Sequence, residues 1–233
     1  MPRLRLTFLI FIALTLAIGS SAFADTIFYL TVPENSCSGN SCAPAGTVQV
    51  DVDLLTSSTA TVTFTGQTVG GNAYSMYDVL FEVNGSFDIT KYVVTGGSAA
   101  GTVTAPANTP GSLDLYGTFS EESEVVHDAS EVEFYLGGGS WTSSANVLTT
   151  TPLPNGNAGG YAQPFDAAAQ VRVTDCTSST EPGCRDVDNG HEGAIMDTAG
   201  FETTSSVPEP ASVVLLISLL AIVAIAYRRK QIA

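Results

Sequence analysis

The sequence predicts an all-β protein, an antiparallel β-sandwich of jelly-roll-like order, set between two apolar end segments. Three observations carry this expectation. Apolar and polar residues alternate with period two in short runs through residues 25–198, the pattern of strands buried on one face. Clusters rich in Gly and Asn separate the runs. Between Asp25 and Ser206 no stretch keeps a helical period over three turns, and the nearest, residues 165–170, is too short.

The first element is a leader. Arg3 and Arg5 precede an apolar run over residues 6–18, and Gly19-Ser20-Ser21 leads into Ala22-Phe23-Ala24. A charged start, an apolar centre and a small-x-small end describe a secretory signal peptide over residues 1–24, cut after Ala24 to leave Asp25 first. As a helix the apolar run covers only ~20 Å, short of the ~30 Å bilayer core, so a cleaved signal is expected and not an anchor. The implied partners are a Sec-type translocon and a signal peptidase.

The strands come next. Val48, Val50, Val52 and Leu54 interleave with Thr47, Gln49, Asp51 and Asp53. The pattern returns in Phe28-Leu30-Val32, Ala60-Val62-Phe64, Val79-Phe81-Val83, Phe87-Ile89, Leu113-Leu115, Val132-Phe134-Leu136 and Val171-Val173. Enrichment in Val and Thr suits extended backbone. Asn84-Gly85, Gly70-Gly71-Asn72, Gly96-Gly97, Gly137-Gly138-Gly139 and Pro154-Asn155-Gly156-Asn157 mark turns. Eight or nine strands fit this length, and periodicity leaves their order open. The domain is expected over residues 25–198, followed by a linker over residues 199–206.

Charge narrows the function. The chain of 233 residues has a formal net charge of −15. All but one of the 23 acidic residues lie between Asp25 and Ser206, where Lys91, Arg172 and Arg185 are the only basic ones. Such a surface repels phosphate backbones, which excludes nucleic acid as a partner. Asp51, Asp53, Glu82, Asp88, Asp114, Glu131 and Glu133 occupy outward strand positions and are expected to form a solvated face that discourages edge-to-edge association.

Cys37, Cys42, Cys176 and Cys184 make an even count in an exported chain, which argues for disulfides. Three pairings exist, and proximity favours Cys37 with Cys42 and Cys176 with Cys184. The spacings are not those of paired Cys-x-x-Cys zinc knuckles. No cofactor is expected. The most ligand-like stretch holds Asp175, Asp186, Asp188 and Glu192, oxygen donors of the kind calcium takes. The EF-hand pattern fails there: with Gly190 sixth, Arg185 and Val187 fall where oxygen ligands belong. An acidic exposed loop is the plainer expectation.

Signs of catalysis are thin in the sequence. His127 and His191 are the only histidines, and Gly96-Gly97-Ser98-Ala99-Ala100 lacks the last glycine of a nucleophile elbow. No phosphate loop or metalloprotease helix occurs. The chain is therefore not expected to be an enzyme. Trp141, beside Gly139 and Ser140, could stack on a sugar ring, together with exposed tyrosines such as Tyr74 and Tyr77. That alternative makes the domain a carbohydrate-binding module. A lone tryptophan is more often part of a core.

The last element is the tail. Val207-Pro208-Glu209-Pro210 is a stiff extended segment, residues 211–227 carry no charge, and Arg228-Arg229-Lys230 follow at once. As a helix residues 211–227 cover ~25 Å, the lower end of what spans a bilayer, and the basic triplet marks the cytoplasmic side. In this order the three parts resemble the PEP-CTERM sorting signal, over about the last 27 residues of the chain. The resemblance implies recognition by an exosortase, a membrane cysteine transpeptidase that removes the tail and passes the body to the cell surface or the exopolysaccharide matrix. The tail departs from the pattern only in its final Gln231-Ile232-Ala233 and its short span. A permanent single-pass anchor is the alternative.

Overall fold

The computed structural model describes residues 25–33, 42–97, 100–103, 110–113, 116–123, 128–151, 165–174, 184–187, 190–193 and 196–200. All belong to one compact unit, Asp25–Ser206. The leader (1–24), residues 201–206 and the tail (207–233) lie outside the described residues, as do Cys37, Cys176, Asp175 and Asp188. Among the described residues no helix is long and apolar enough to cross a membrane.

The described residues are β-strands joined by turns, with a single short 3-10 turn, Ser144–Asn146. In chain order the strands are β1 Thr26–Leu30, β2 Val32–Pro33, β3 Val48–Thr56, β4 Thr59–Gly66, β5 Thr68–Val69, β6 Asn72–Phe81, β7 Asp88–Thr95 and β8 Gly101–Val103. They continue as β9 Gly111–Leu113, β10 Gly117–Phe119, β11 Glu121–Ser123, β12 Glu131–Gly137, β13 Ala167–Val173, β14 Cys184–Val187, β15 Gly190–Gly193 and β16 Met196–Gly200. Every pairing is antiparallel. One sheet runs β1-β3-β4-β12-β7-β8 and a second runs β11-β6-β13-β16-β2, with β5 on β6; β9 with β10 and β14 with β15 form two-stranded sheets.

Alternation decides which side each strand buries. In β3, Val48, Val50, Val52 and Leu54 are buried while the residues between them are half-buried, and β12 does the same with Val132, Phe134 and Leu136. The inner faces meet through aromatic rings. Phe81 of β6 lies 4.8 Å from Phe134 of β12 and 5.9 Å from Phe64 of β4, centre to centre, and Tyr92 of β7 stacks on Phe134 at 5.6 Å. Each such pair adds about 0.5–1.5 kcal/mol beyond its buried area. Gly70 and Gly71, both with positive φ, close the β5–β6 hairpin, where Val69 pairs with Asn72. Two consecutive positive-φ residues are what a two-residue hairpin turn of the twist-matched kind requires.

A second cluster departs from simple alternation. The end of β6, residues 78–81, and the start of β13 are buried on both faces, and Ala167, Ala168 and Ala169 are all fully buried. Leu80, Tyr116, Phe119, Phe165, Ala168 and Ala199 pack together, with Val32 against them. Phe81 and Leu80 are adjacent in a strand, so this cluster lies on the other side of the sheet from the aromatic core. Tyr116 meets Phe165 edge-on at 5.2 Å, and its hydroxyl donates to the Val32 carbonyl at 3.0 Å.

One expected boundary moves. The linker does not begin at 199: Ala199 is fully buried and pairs with Ala168 and Val32, and Gly200 pairs with Ala167. A Cβ on Gly200 would lie 2.7 Å from the Tyr29 carbonyl oxygen, so the last strand is held tightly against β1. The Thr31 N–H donates to the Ala199 carbonyl at 3.0 Å, at the point where the chain passes from one sheet edge (β1) to the other (β2).

Candidate functional site

Trp141 is not a surface platform. It is 2% exposed, and its indole N–H donates to the Asn84 carbonyl at 2.9 Å. Its backbone N–H donates to the Ser57 carbonyl, and a Cβ on Gly139 would overlap the ring at 2.2 Å, so the glycine is the space the indole fills. A sugar ring needs an open aromatic face, and this one is covered. Tyr74 is buried too, and burial pushes its hydroxyl pKa up; Tyr77 is half-buried. The three aromatics do not make a glycan-stacking surface.

Of the acidic stretch near the C-terminal side of the domain, Asp186 and Glu192 fall in the β14–β15 hairpin. There Asp186 pairs with His191, and Glu192 pairs with Arg185. The two acids thus stand at different rungs of the ladder. Among the cysteines, Cys42 is disulfide-bonded and Cys184 begins β14.

The structure instead gathers carboxylates at the start of the domain. β1 pairs with β3 so that Thr26 faces Val52 and Ile27 faces Asp51, and the same register sets Asp25 opposite Asp53. Thr26, Phe28 and Leu30 point inward and are buried, and Thr26 Oγ1 shares a 2.8 Å hydrogen bond with Ser144 Oγ. Inward residues fix the register, and the alternation then sends Asp25, Ile27 and Tyr29 to the outer face. One carboxylate oxygen from each of Asp25, Asp51 and Asp53 lies within 4.8 Å of the other two.

Carboxylates this close raise the pKa of two of the group, Asp51 and Asp53. Asp53 is pushed up to about 7 by a hydrogen bond shared with the Asp25 carboxyl, by burial, and by the charges of Asp25, Asp51 and Glu133. Burial and the Asp25 charge raise Asp51, against a stabilising hydrogen bond from the Val52 N–H. The Asp51 Oδ1 atom is buried without a hydrogen-bond partner among the described residues. Three carboxylates, each binding through one or both oxygens, could supply three to six of the six to eight oxygens that calcium takes.

Across the same face, Thr61 and Thr63 of β4 stand opposite Asp53 and Asp51, and Tyr135 and Glu133 of β12 stand opposite those threonines. The Tyr135 hydroxyl donates to Glu133 at 2.7 Å, and Lys91 of β7 sits 3.8 Å over the Tyr135 ring. Among the described residues of this sheet Lys91 is the one basic side chain, and it lies three strands away from Asp53.

No protein-family model, no curated protein and no solved structure matches this chain.

The expectation of a solvated acidic face holds for Asp88, which is exposed, while Asp51, Asp53, Glu82, Glu131 and Glu133 are half-buried. Burial also raises Glu82, against hydrogen bonds from Ser120. Sequence reading missed the trio because it treated Asp25 only as a terminus. The alternation of Phe28 and Leu30 implied a strand starting near Asp25, but nothing in it named β3 as the partner.

Proposed function

We propose that this chain is an exported, non-catalytic component of the cell surface or exopolysaccharide matrix, sorted through its C-terminal tail and separated from it by an exosortase. The observation that carries the reading is the order Val207-Pro208-Glu209-Pro210, uncharged residues 211–227, then Arg228-Arg229-Lys230, in a chain that opens with a signal-type leader. Each part has a physical task. The leader starts passage through the membrane. The tail halts it, with the basic triplet held on the cytoplasmic side, and the prolines keep the cut segment extended just outside the bilayer.

In this reading the body is a two-sheet β domain, stiffened by aromatic packing between the sheets and by disulfide bonding at Cys42. A net negative body stays soluble and does not adhere to anionic headgroups. The interior position of Trp141 removes the main support for a carbohydrate-binding module.

The test replaces Pro208-Glu209-Pro210 by three alanines in the native host. The unaltered protein is expected mostly outside the membrane fraction and shorter than its precursor. The variant is expected to accumulate at full precursor length, less the leader, in the membrane. Equal release of both forms, or membrane retention of both, would overturn the sorting assignment; the second result is that of a permanent anchor.

A further inference from the structure

We infer that the α-ammonium group created when the leader is cut after Ala24 is the counter-ion of the Asp25, Asp51 and Asp53 carboxylates, so that processing supplies a positive charge that the described residues of this corner lack. The inference rests on the cleavage contained in the proposed function. It joins two independent facts. The small-x-small sequence Ala22-Phe23-Ala24 places the new amine on Asp25, and the β1–β3 register places Asp25 among the carboxylates.

The geometry follows from covalent dimensions. The α-nitrogen of an aspartate lies about 3–4 Å from its own carboxyl carbon, whatever its rotamer. With the Asp25 carboxylate within 4.8 Å of both neighbours, that nitrogen is confined to the same corner. While residue 24 is attached, the nitrogen belongs to a neutral amide with one N–H. After cleavage it is an ammonium with three donors. Asp51 Oδ1, buried and without a partner among the described residues, is an acceptor in the same group.

Among the described residues the surroundings offer no competing cation. From β3 the facing titratable groups are Asp51 and Asp53, from β12 they are Glu133 and Tyr135, and β4 contributes only Thr61 and Thr63. The Ser144–Asn146 turn packed beside Thr26 holds no ionisable side chain. Lys91 of β7 is engaged over Tyr135. A charge-assisted bond from an ammonium to these carboxylates favours the charged form of both partners. The α-amine pKa therefore rises, and Asp51 and Asp53 fall back toward the ordinary carboxylate range.

The consequence is a domain that is less stable as a precursor than after processing. While the leader is attached, like charges crowd the first strand against β3; removal of the leader converts repulsion into attraction at the same atoms. The end of β1 is then pinned by its own terminus.

The experiment uses the mature protein purified from its native host. Its first residue is read by terminal sequencing, and the α-amine is then titrated by competitive acylation across pH with mass-spectrometric readout of the N-terminal peptide. The expected result is an Asp25 start and an α-amine pKa at least about one unit above the usual ~7.7–8.0. The Asp51→Asn, Asp53→Asn double variant, shown to be folded by its cooperative melt, is expected to return to the usual value. A start at another residue overturns both the cleavage site and the inference. An Asp25 start with an ordinary α-amine pKa overturns the inference alone. So does a shift that persists in the double variant, or a pKa below the usual value, the sign of a metal cation already in place.

Discussion

Replacing Trp141 asks whether this side chain is a packing element or a recognition surface. At 2% exposure essentially the whole side chain is withdrawn from water, and a buried tryptophan covers about 150–250 Å². At about 25 cal/mol per Å² that area is worth roughly 4–6 kcal/mol, an upper figure because the unfolded chain already hides part of it. Trp141→Ala also leaves a cavity beside Gly139, where a Cβ would overlap the ring. The expected loss is about 3–5 kcal/mol. Trp141→Phe keeps most of the apolar contact but leaves the Asn84 carbonyl without its indole donor, so about 1–3 kcal/mol is expected. Chemical denaturation followed by far-ultraviolet circular dichroism measures both, with disulfides kept intact. The ordering Ala worse than Phe worse than the unaltered chain is the signature of a core residue. If both variants stay within about 0.5 kcal/mol of the unaltered protein, the indole is not packed as described, and a surface role returns.

The second cluster makes a separate prediction. Leu80→Ala, at a fully buried position beside Tyr116 and Phe165, is expected to cost about 2–5 kcal/mol in the same denaturation assay; a cost under about 0.5 kcal/mol would place that face of the sheet in solvent. The Asp53 carboxyl gives a pH dependence. Its folded pKa of about 7 lies above the unfolded value near 3.8, so the protonated form's advantage is complete below about pH 4 and is lost as pH rises through 7. In chains that keep the residues ahead of Asp25, Asp53→Asn should therefore stabilise at pH 8 and be neutral at pH 4. Three units correspond to about 4 kcal/mol unscreened, and solvent at this half-exposed site reduces the expected gain to about 1 kcal/mol. Melts at the two pH values check it, and equal effects at both would contradict the carboxylate crowding.

Much of the fold is legible in the residues because one-sided burial writes itself as alternation. Val48 to Leu54 and Val132 to Leu136 read as strands and are strands with those residues inward. Where a strand is covered on both faces the rule loses its signal: Ala167-Ala168-Ala169 has no polar partner to alternate with, and Leu80 and Phe81 are both interior. The 199–206 boundary failed for a related reason, since small residues such as Ala199 and Gly200 resemble a linker until a neighbouring strand is seen to need their small size. Pairing is the harder loss. That β12 lies between β4 and β7, or that β1 borders β3, depends on contacts between residues far apart in the chain, which local pattern does not encode. The Asp25, Asp51 and Asp53 trio is a product of that pairing, so its acids were visible one by one and their meeting was not. For Trp141 the preference of lone tryptophans for cores pointed the right way, and its Asn84 contact gives the reason.

Trimming at both ends on the way out of the cell, as proposed, has a direct test. Intact mass and terminal-peptide mapping of the protein recovered from its native host address it directly. A species that starts at Asp25 and ends near Pro210 is expected. Bulk material that still carries the first 24 residues, or peptides from beyond Ala211, would contradict it.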